Sequence, residues 1–390
     1  MAGRQIMIVA GEASGDMHGA RLVEALRRRQ PGLRFSGIGG RELAAAGVEL
    51  LCDASKIAVV GITEVISHLG DILAARKALI RRMQFDRPAL LILIDYPDFN
   101  LLLAAKAKQL GIPVFYYISP QVWAWRSGRV KKIGRLTDRV AVILPFEQEF
   151  YAERGVAVDF VGHPLKDTVR PERLPSRDEF FRAQGLDVGS NCRVVGLLPG
   201  SRAKEIRSLL PDFLAAAELL TTQDKSRDWL FLLPRASTIP QELLAESGLA
   251  LYQNRLNIRV IDGDERYALM AACDAAAAAS GTVTLELAIL GVPAVTAYRF
   301  SPWTYRLGRL LVRHLRHFSL VNLIAGREVI PELLQEQVSP ENLAAALRLL
   351  LDNASHRRET LRGLAEVTEK LGPPGCAERA AELALSCMTS

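Results

Sequence analysis

Short apolar runs alternate with segments of helical periodicity along most of the chain. Residues 6–10 have the length and β-branched content of a buried parallel strand, and residues 20–26 then repeat with helical spacing. The same alternation predicts two series of strands, separated by a proline-rich, charged linker at 162–177. The runs are 6–10, 35–39, 90–94, 114–118, 140–144 and 156–161 in the first series, and 194–198, 230–233, 258–261, 275–279 and 294–297 in the second.

This alternation predicts an α/β protein with two doubly wound, Rossmann-like domains facing each other across a cleft. The domains are expected at residues 1–165 and 166–338. From residue 339 the chain is helical to its end, apart from the sequence GPPG at 372–375. Residues 339–390 are too few for a third α/β domain, so these helices are expected to pack on the same chain or on a partner subunit.

Composition restricts the class of protein. The 390 residues are 49% hydrophobic, which is enough for two packed cores. The five cysteines are odd in number and include no C-x-x-C pair, which argues against a disulfide framework or a zinc site and favours a reducing compartment. No signal-peptide pattern is present and no window approaches the ~18 apolar residues of a membrane span, so a soluble or peripheral protein is expected.

A net charge of +6 raises nucleic acid, anionic membranes and phosphorylated ligands as partners. Residues 303–318 place Arg306, Arg309, Arg313 and Arg316 on one side of a predicted helix and leucines on another. Such a basic amphipathic helix suits a bilayer interface better than the groove of a duplex, so a membrane surface is expected and nucleic acid is not. An ordinary surface helix would show the same pattern.

The second series of strands carries a glycine turn at 197–202, LLPGSR, followed by a helical pattern. Gly200, Ser201 and Arg202 would lie at the start of that helix, where backbone N–H groups and the helix dipole favour an anion and arginine adds charge-assisted hydrogen bonds. The motif predicts a phosphate site. The alternative is a tight turn with a surface arginine.

A second turn, at 279–295, reads ASGTVTLELAILGVPAV. Ser280, Gly281 and Thr282 would open a helix whose first turns carry Glu286. A carboxylate there can accept both hydroxyls of a ribose while the helix start holds the phosphates. Together the two turns predict a nucleotide site, although a helix with one exposed glutamate is the simpler alternative for this segment alone.

Eight motifs, spread in order along the chain, together resemble the lipid-A-disaccharide synthase family. They are GEASGD at 11–16, IDYPDFN at 94–100, SPQVWAWR at 119–126, LPFE at 144–147, GHP at 162–164, LPGSR at 198–202, SGT at 280–282 with Glu286, and SLVNLIAGRE at 319–328. The resemblance implies a GT-B glycosyltransferase that moves 2,3-diacylglucosamine from UDP to the 6-hydroxyl of 2,3-diacylglucosamine 1-phosphate. The reaction would invert the anomeric carbon, giving a β(1→6) disaccharide and UDP.

The resemblance also implies partners and a location. The donor would be UDP-2,3-diacylglucosamine, with Asn322 of the last motif among its contacts, and no cofactor would be needed. The protein would be an intertwined homodimer whose C-terminal segment packs on the partner, bound peripherally to the cytoplasmic face of an anionic inner membrane.

Two acids follow the apolar strand at 90–94 and should lie at its carboxyl end. An inverting transfer needs a base to remove the proton of the acceptor hydroxyl. Asp95, directly after the strand, is the predicted base. Asp98 is predicted either to contact the acceptor or to cap the helix at 99–110, since aspartate is a preferred N-cap residue.

The turn at 11–16 is assigned to the acceptor. Glu12 and Ser14 suit a sugar's hydroxyls, and Gly15 with its helix start suits the 1-phosphate. Because an acid repels a phosphate, Glu12 is expected to contact the sugar or to orient Asp95, and Asp16 is expected to be a helix cap. Arg202 would neutralise the departing diphosphate, and the absence of metal-ligand spacing favours a metal-independent departure.

Acyl chains need an apolar surface, and residues 59–73 could supply one at helical spacing. The predicted lipid contacts are Val65, Ile66, Leu69, Ile72 and Leu73. A stripe that faces the core is the usual alternative for such a pattern. Trp123 and Trp125 could line the same cleft.

Two rival functions remain open. One is another nucleotide-sugar enzyme of the same architecture, such as the peptidoglycan GlcNAc-transferase or a UDP-GlcNAc 2-epimerase. The other is a non-catalytic lipid- or nucleotide-binding protein. The motifs IDYPDFN and SPQVWAWR disfavour the first, and the intact acids Glu12 and Asp95 disfavour the second.

Overall fold

The computed structural model describes residues 4–54, 69–299 and 316–388. The chain divides into two compact units, one formed by Met1–Asp167 with Leu371–Ser390 and the other by Thr168–Lys370. The division falls inside the segment 162–177 that the sequence predicted to be a linker. That segment is packed, since His163, Leu165 and Val169 are buried.

The first unit contains a parallel sheet with helices between its strands. The strands are β1 (Gln5–Ala10), β2 (Arg34–Gly39), β3 (Glu49–Asp53), β4 (Leu90–Ile94), β5 (Val114–Tyr117), β6 (Arg139–Val142) and β7 (Asp159–Phe160). The helices are α1 (Ala13–Arg29), α2 (Arg41–Ala45), α3 (Leu69–Asp86), α4 (Pro97–Gln109), α5 (Val122–Trp125), α6 (Val130–Leu136), α7 (Glu147–Ala152) and α8 (Leu165–Thr168). The strand order is β3-β2-β1-β4-β5-β6-β7.

The second unit repeats this plan. Its strands are β8 (Cys192–Leu198), β9 (Asp228–Arg235), β10 (Ile258–Asp262), β11 (Ala275–Ala279), β12 (Ala294–Tyr298) and β13 (Glu332–Leu334). Its helices are α9 (Arg177–Ala183), α10 (Ala203–Gln223), α11 (Gln241–Leu244), α12 (Ala250–Tyr252), α13 (Arg266–Ala271), α14 (Thr282–Leu290), α15 (Leu320–Ala325), α16 (Pro340–Asp352) and α17 (Ala354–Lys370). The order β10-β9-β8-β11-β12-β13 equals that of the first six strands of the other sheet.

Most strands lie where the apolar runs predicted them, because parallel strands covered by helices on both faces read as nearly continuous apolar sequence. All five residues of β4 are buried. The sequence missed β3 and β13. Residues of β3 are half-buried or exposed at the sheet edge, and the three residues of β13 are only half-buried, so neither gives an apolar run.

The C-terminal helices divide between the two units. Helix α16 packs on α10, with Leu343, Leu347 and Leu350 in the core of the second sheet, and α17 packs on α14 and α15. A last helix, α18 (Cys376–Ser386), packs on α1 of the first unit and joins its core. In the part of the chain that the structure describes, no helix is long and apolar enough to cross a membrane.

Candidate functional site

In each sheet the strand order reverses beside the first strand, between β1 and β4 in one and between β8 and β11 in the other. Open α/β sheets bind ligands at such switch points, beyond the carboxyl ends of the strands. The turns that the sequence predicted to bind ligands lie at these two places, within their own units.

In the first unit the two candidate loops are neighbours. Ala10 of β1 pairs with Ile94 of β4, so the turn that begins at Gly11 starts beside Asp95. The ring of Tyr96 lies directly over Gly11, where a Cβ atom would come within 2.5 Å of the ring carbon Cγ. Glycine is therefore required at position 11 for the two loops to pack together.

Asp95 has the properties of a base. It is half-buried directly after β4. Burial first, and then the charge of Glu12, raise the pKa of Asp95 to about 6, although a hydrogen bond from the backbone of Tyr96 lowers it. At neutral pH such a carboxyl is mostly ionised and is a stronger base than an exposed aspartate.

Asp98 does not cap the helix, which corrects that prediction. Helix α4 begins at Pro97, so its N-cap residue is Tyr96, which makes no side-chain capping hydrogen bond. The exposed Asp98 carboxylate instead pairs with Arg126 at 3.1 Å and with Arg129. Although partial burial raises the pKa of Asp98, hydrogen bonds and charge from the two arginines lower it overall, so it stays ionised and is a poor base.

The turn after β1 presents polar groups to solvent. Glu12 and Ser14 are exposed, and the side chain of Glu12, the N-cap residue of α1, makes no capping hydrogen bond. Gly15 is buried against Ala10 and Ile94. Asp16 accepts hydrogen bonds from the backbone N–H groups of Gly40, Glu42 and Leu43. It therefore caps α2, as the prediction of a helix cap expected.

In the second unit, the turn after β8 is partly occupied by the chain itself. Gly200 has a φ of 105°, and a Cβ atom there would lie 2.2 Å from Oε2 of Glu205. That carboxylate accepts a hydrogen bond from the backbone of Arg202 at 3.3 Å and approaches its guanidinium at 3.5 Å. Because the Glu205 carboxylate fills the start of α10, a phosphate is disfavoured there. The Arg202 side chain is 80% exposed and can still reach an anion.

Among the described residues, no carboxylate fills the turn after β11 in this way. The N-cap residue of α14 is Gly281, which has no side chain with which to cap the helix. Thr282 is exposed, and the Ser280 hydroxyl lies 3.5 Å from the backbone oxygen of Phe318. Of the two predicted phosphate sites, this helix start is the better one.

Glu286 lies one turn into α14 and is buried. Its Oε1 accepts a hydrogen bond from the Tyr267 hydroxyl at 3.1 Å, and Arg266 lies 3.9 Å from the same oxygen. Burial raises the pKa of Glu286, while the charge of Arg266 and the Tyr267 bond lower it. The sequence missed Arg266 and Tyr267, which lie in α13 and belong to no motif.

The side chain of Asn322 is not placed to contact the UDP-sugar, which corrects its assignment to the donor site. Its side chain is fully buried. Nδ2 donates to the Ile330 carbonyl and to Glu332, both at 2.8 Å, and Oδ1 accepts from the backbone of Val329 and Ile330. Every hydrogen-bonding group of this amide is thus used to hold the segment that leads into β13.

The predicted lipid surface is only partly described. Leu73 is 53% exposed, whereas Ile72 packs against the core of the first sheet. Trp123 is buried edge-on against Phe146, so it does not line an open surface. Val65, Ile66, the side chains of Leu69 and Trp125, and residues 303–315 of the basic helix lie outside the described residues. The last three residues of that helix, 316–318, are not helical.

Comparison with known proteins identifies the family. Residues 6–385 match the model of the lipid-A-disaccharide synthetase family. The lipid-A-disaccharide synthase of Geobacter sulfurreducens is 50% identical over 388 residues, which cover 98% of this chain and 97% of that protein. The chain belongs to the lipid-A-disaccharide synthase family. As a member of this family it is a glycosyltransferase of lipid A biosynthesis.

Solved structures show the same fold at low identity. The UDP-GlcNAc 2-epimerase of Neisseria meningitidis bound to UDP-GlcNAc superposes with a TM-score of 0.61 at 10% identity, covering 99% of each chain. The glycotransferase of kitacinnamycin superposes with a TM-score of 0.63 at 17% identity, covering 99% of each chain. These likenesses concern the fold alone, and they confirm the predicted GT-B class for this member of the synthase family.

Proposed function

We propose that the chain joins UDP-2,3-diacylglucosamine to 2,3-diacylglucosamine 1-phosphate, giving the β(1→6) disaccharide 1-phosphate and UDP. Family membership supports the reaction, and the half-buried Asp95 with its raised pKa is the observation that carries the mechanism. The first unit is assigned the acceptor and the second unit the donor.

On the acceptor, Asp95 removes the proton of the 6-hydroxyl as that oxygen attacks the anomeric carbon. The bond from the anomeric carbon to the diphosphate oxygen breaks on the opposite face, so the configuration inverts and UDP leaves with the electron pair. Glu12 raises the basicity of Asp95 through its charge and contacts sugar hydroxyls. Ser14 and the start of α1 at Gly15 are assigned to the remainder of the acceptor, including its 1-phosphate.

In the donor site, Oε2 of Glu286 accepts hydrogen bonds from the ribose hydroxyls, while Oε1 accepts the bond from Tyr267. The start of α14, at Ser280, Gly281 and Thr282, holds the diphosphate. Arg202 approaches from the neighbouring turn and neutralises charge as the bond breaks, which requires no metal ion. Turnover is therefore expected to survive EDTA.

Membrane association is proposed to involve the basic segment at 303–318 and an apolar surface near Leu73. Each Lys or Arg near an anionic bilayer is worth about 1 kcal/mol. Replacing Arg306, Arg309, Arg313 and Arg316 with Gln should release the protein from vesicles containing anionic lipid. Co-sedimentation unchanged by the four substitutions and by raised salt would exclude this segment as the anchor.

A homodimer that exchanges its C-terminal helices is proposed because α18 contributes core residues to a unit from which the preceding α16 and α17 are absent. Arg28 of α1 pairs with Glu378 of α18. In the double variant Arg28→Cys, Glu378→Cys, a thiol-reactive cross-linker about as long as the ion pair should join two chains if α18 is exchanged. A cross-link within one chain would contradict the exchange. Arg82→Cys with Glu49→Cys, which replaces an ion pair between α3 and β3, is the matched control for a cross-link within one chain.

The reaction itself is tested by mass spectrometry of the products from the two lipid substrates. We expect the disaccharide 1-phosphate and UDP in equal amounts, and none with an acceptor whose 6-hydroxyl is replaced by hydrogen. An epimerised sugar nucleotide without disaccharide would favour the UDP-GlcNAc 2-epimerase alternative. Binding of both substrates without any product would favour a non-catalytic protein.

A further inference from the structure

The proposed base, Asp95, is one of three neighbouring residues that have an uncommon backbone conformation. Asp95, Tyr96 and Ile118 have φ values of 43°, 47° and 57°, in the left-handed region that residues other than glycine seldom adopt. They follow the adjacent strands β4 and β5, and the backbone N–H of Asp95 donates to the Ile118 carbonyl at 3.3 Å. Such strain persists only where the surrounding structure holds it, and it clusters at functional sites.

Two buried side chains hold the backbone of Asp95. The Tyr116 hydroxyl donates to the Asp95 carbonyl at 2.6 Å. Nδ2 of Asn100 donates to the same carbonyl at 2.7 Å and to that of Ile94 at 3.1 Å. Both side chains are fully buried, and burial raises the pKa of Tyr116 well above its usual range, so its hydroxyl remains a donor.

The opposite side of this peptide is closed by packing. Tyr96 lies over Gly11, and its ring centroid is 5.4 Å from that of Phe99 in α4. The peptide from Asp95 to Tyr96 thus has hydrogen bonds on its carbonyl and a fixed ring on its following residue. The Asp95 side chain is attached to the Cα atom that precedes this peptide. The conformation of the peptide therefore sets the direction in which the carboxylate points.

We propose that Tyr116 and Asn100 are positioning residues, which hold Asp95 in its left-handed conformation so that its carboxylate points at the acceptor hydroxyl. This inference rests on the assignment of Asp95 as the base. Without the Tyr116 bond the peptide can rotate toward a less strained conformation, and the carboxylate turns away from the hydroxyl.

The test is Tyr116→Phe, which removes one oxygen and keeps the ring. We expect kcat to fall about tenfold, the size of effect that one hydrogen bond contributes, with the KM for the donor and the affinity for UDP unchanged. Tyr117→Phe is the matched control. Tyr117 is the next residue of β5, is equally buried on the opposite face of the sheet, and contacts Cys376 at 3.5 Å.

A double-mutant cycle separates positioning from a general loss of structure. If Tyr116 acts through Asp95, Tyr116→Phe should lower kcat in the parent and should leave the residual rate of Asp95→Asn unchanged. Equal losses of kcat in Tyr116→Phe and Tyr117→Phe, or an additive loss on top of Asp95→Asn, would overturn the proposal. If Asp95→Asn itself keeps the parent's rate, the assignment of the base fails instead.

Asn100→Ala provides an independent second variant. It leaves the Tyr116 bond in place and removes the other donor to the Asp95 carbonyl. The inference predicts a loss of kcat with an unchanged donor KM here as well. A raised donor KM with an unchanged kcat would contradict it.

Discussion

The two units have the same strand order at their switch points but carry different side chains there. Beyond β1 and β4 lie the carboxylates Glu12, Asp95 and Asp98, and one of them is buried enough for its pKa to rise. Beyond β8 lie the exposed Arg202 and the Glu205 carboxylate, and beyond β11 lie the start of α14 at Gly281 and the buried Glu286. We therefore expect the topology to set where ligands bind in each unit, and the side chains at each sheet edge to set which ligand that unit takes.

The difference also shows how strain is distributed. In the first unit the residues with positive φ at the candidate site are Asp95, Tyr96 and Ile118, none of which is glycine. In the second unit the residues with positive φ in the two candidate turns are glycines, Gly200 and Gly281. Glycine adopts them without steric cost and lets a ligand approach the backbone. Because a catalytic base needs a side chain, glycine cannot replace Asp95. The backbone of the first unit is therefore strained at its candidate site, whereas glycine relieves this strain in the second unit.

The largest expected effect is on the chemical step of the first unit. Asp95→Asn is nearly isosteric and removes the base, so kcat should fall by about 10² to 10⁴. Asp98→Asn should instead act on the KM for the acceptor, because Asp98 is held by Arg126 and Arg129 and is a poor base. Steady-state kinetics of both variants test the comparison. A larger loss of kcat in Asp98→Asn would exchange the two assignments.

In the second unit, Glu286→Gln should weaken UDP binding by about 10- to 100-fold, since hydrogen bonds to a charged group contribute about 1.5 to 3 kcal/mol. Tyr267→Phe, which removes the hydroxyl bonded to Glu286, should have a smaller effect in the same direction. Calorimetric titration with UDP measures both. Unchanged affinity in Glu286→Gln would place the ribose elsewhere.

The pH profile sharpens the electrostatic part of the comparison. Because Asp95 must be ionised to act as a base, kcat/KM should fall about tenfold per pH unit below its pKa of about 6. The charge of Glu12 raises that pKa, so Glu12→Gln should move the acid limb to lower pH. An acid limb that stays in place in Glu12→Gln would show that the two carboxylates do not interact.

A smaller effect concerns stability. The pKa of Asp95 is raised in the folded protein from 3.8 to about 6, so the folded state loses stability as pH rises through about 6. Asp95→Asn removes this loss and should be more stable than the parent at pH 8, by on the order of 1 kcal/mol, and equally stable below the unfolded pKa. Urea denaturation at pH 8 and pH 3.5 tests it, and a destabilised variant at pH 8 would contradict the burial of an ionised Asp95.

The sequence was sufficient for most of the fold and for the position of the candidate turns at the ends of their strands. Buried strands such as β1 and β4 are continuous apolar runs, and the turns that follow them are short, so the apolar pattern alone places GEASGD and SGT at strand ends. Edge strand β3 could not be found because its half-exposed residues lack such a run.

The side-chain partners could not be predicted from the sequence. Asp98 is a good capping residue by type, and only tertiary structure brings Arg126 and Arg129 to it. Asn322 lies in a motif, but its side-chain amide is already hydrogen-bonded to Ile330 and Glu332. In the sequence, Tyr116 is one more residue of the apolar run that forms β5. Its hydroxyl donates to the Asp95 carbonyl because β4 and β5 are neighbours in the sheet.

The most direct test of the division between the two units is the affinity for UDP of two variants, one in each unit. Asp95 touches no part of UDP in this account, so Asp95→Asn should bind UDP as tightly as the parent. Arg202→Ala removes a charge-assisted contact to the diphosphate and should weaken binding by on the order of 2 kcal/mol, which is about 30-fold. Parent-like UDP affinity in Arg202→Ala together with weakened affinity in Asp95→Asn would contradict the account.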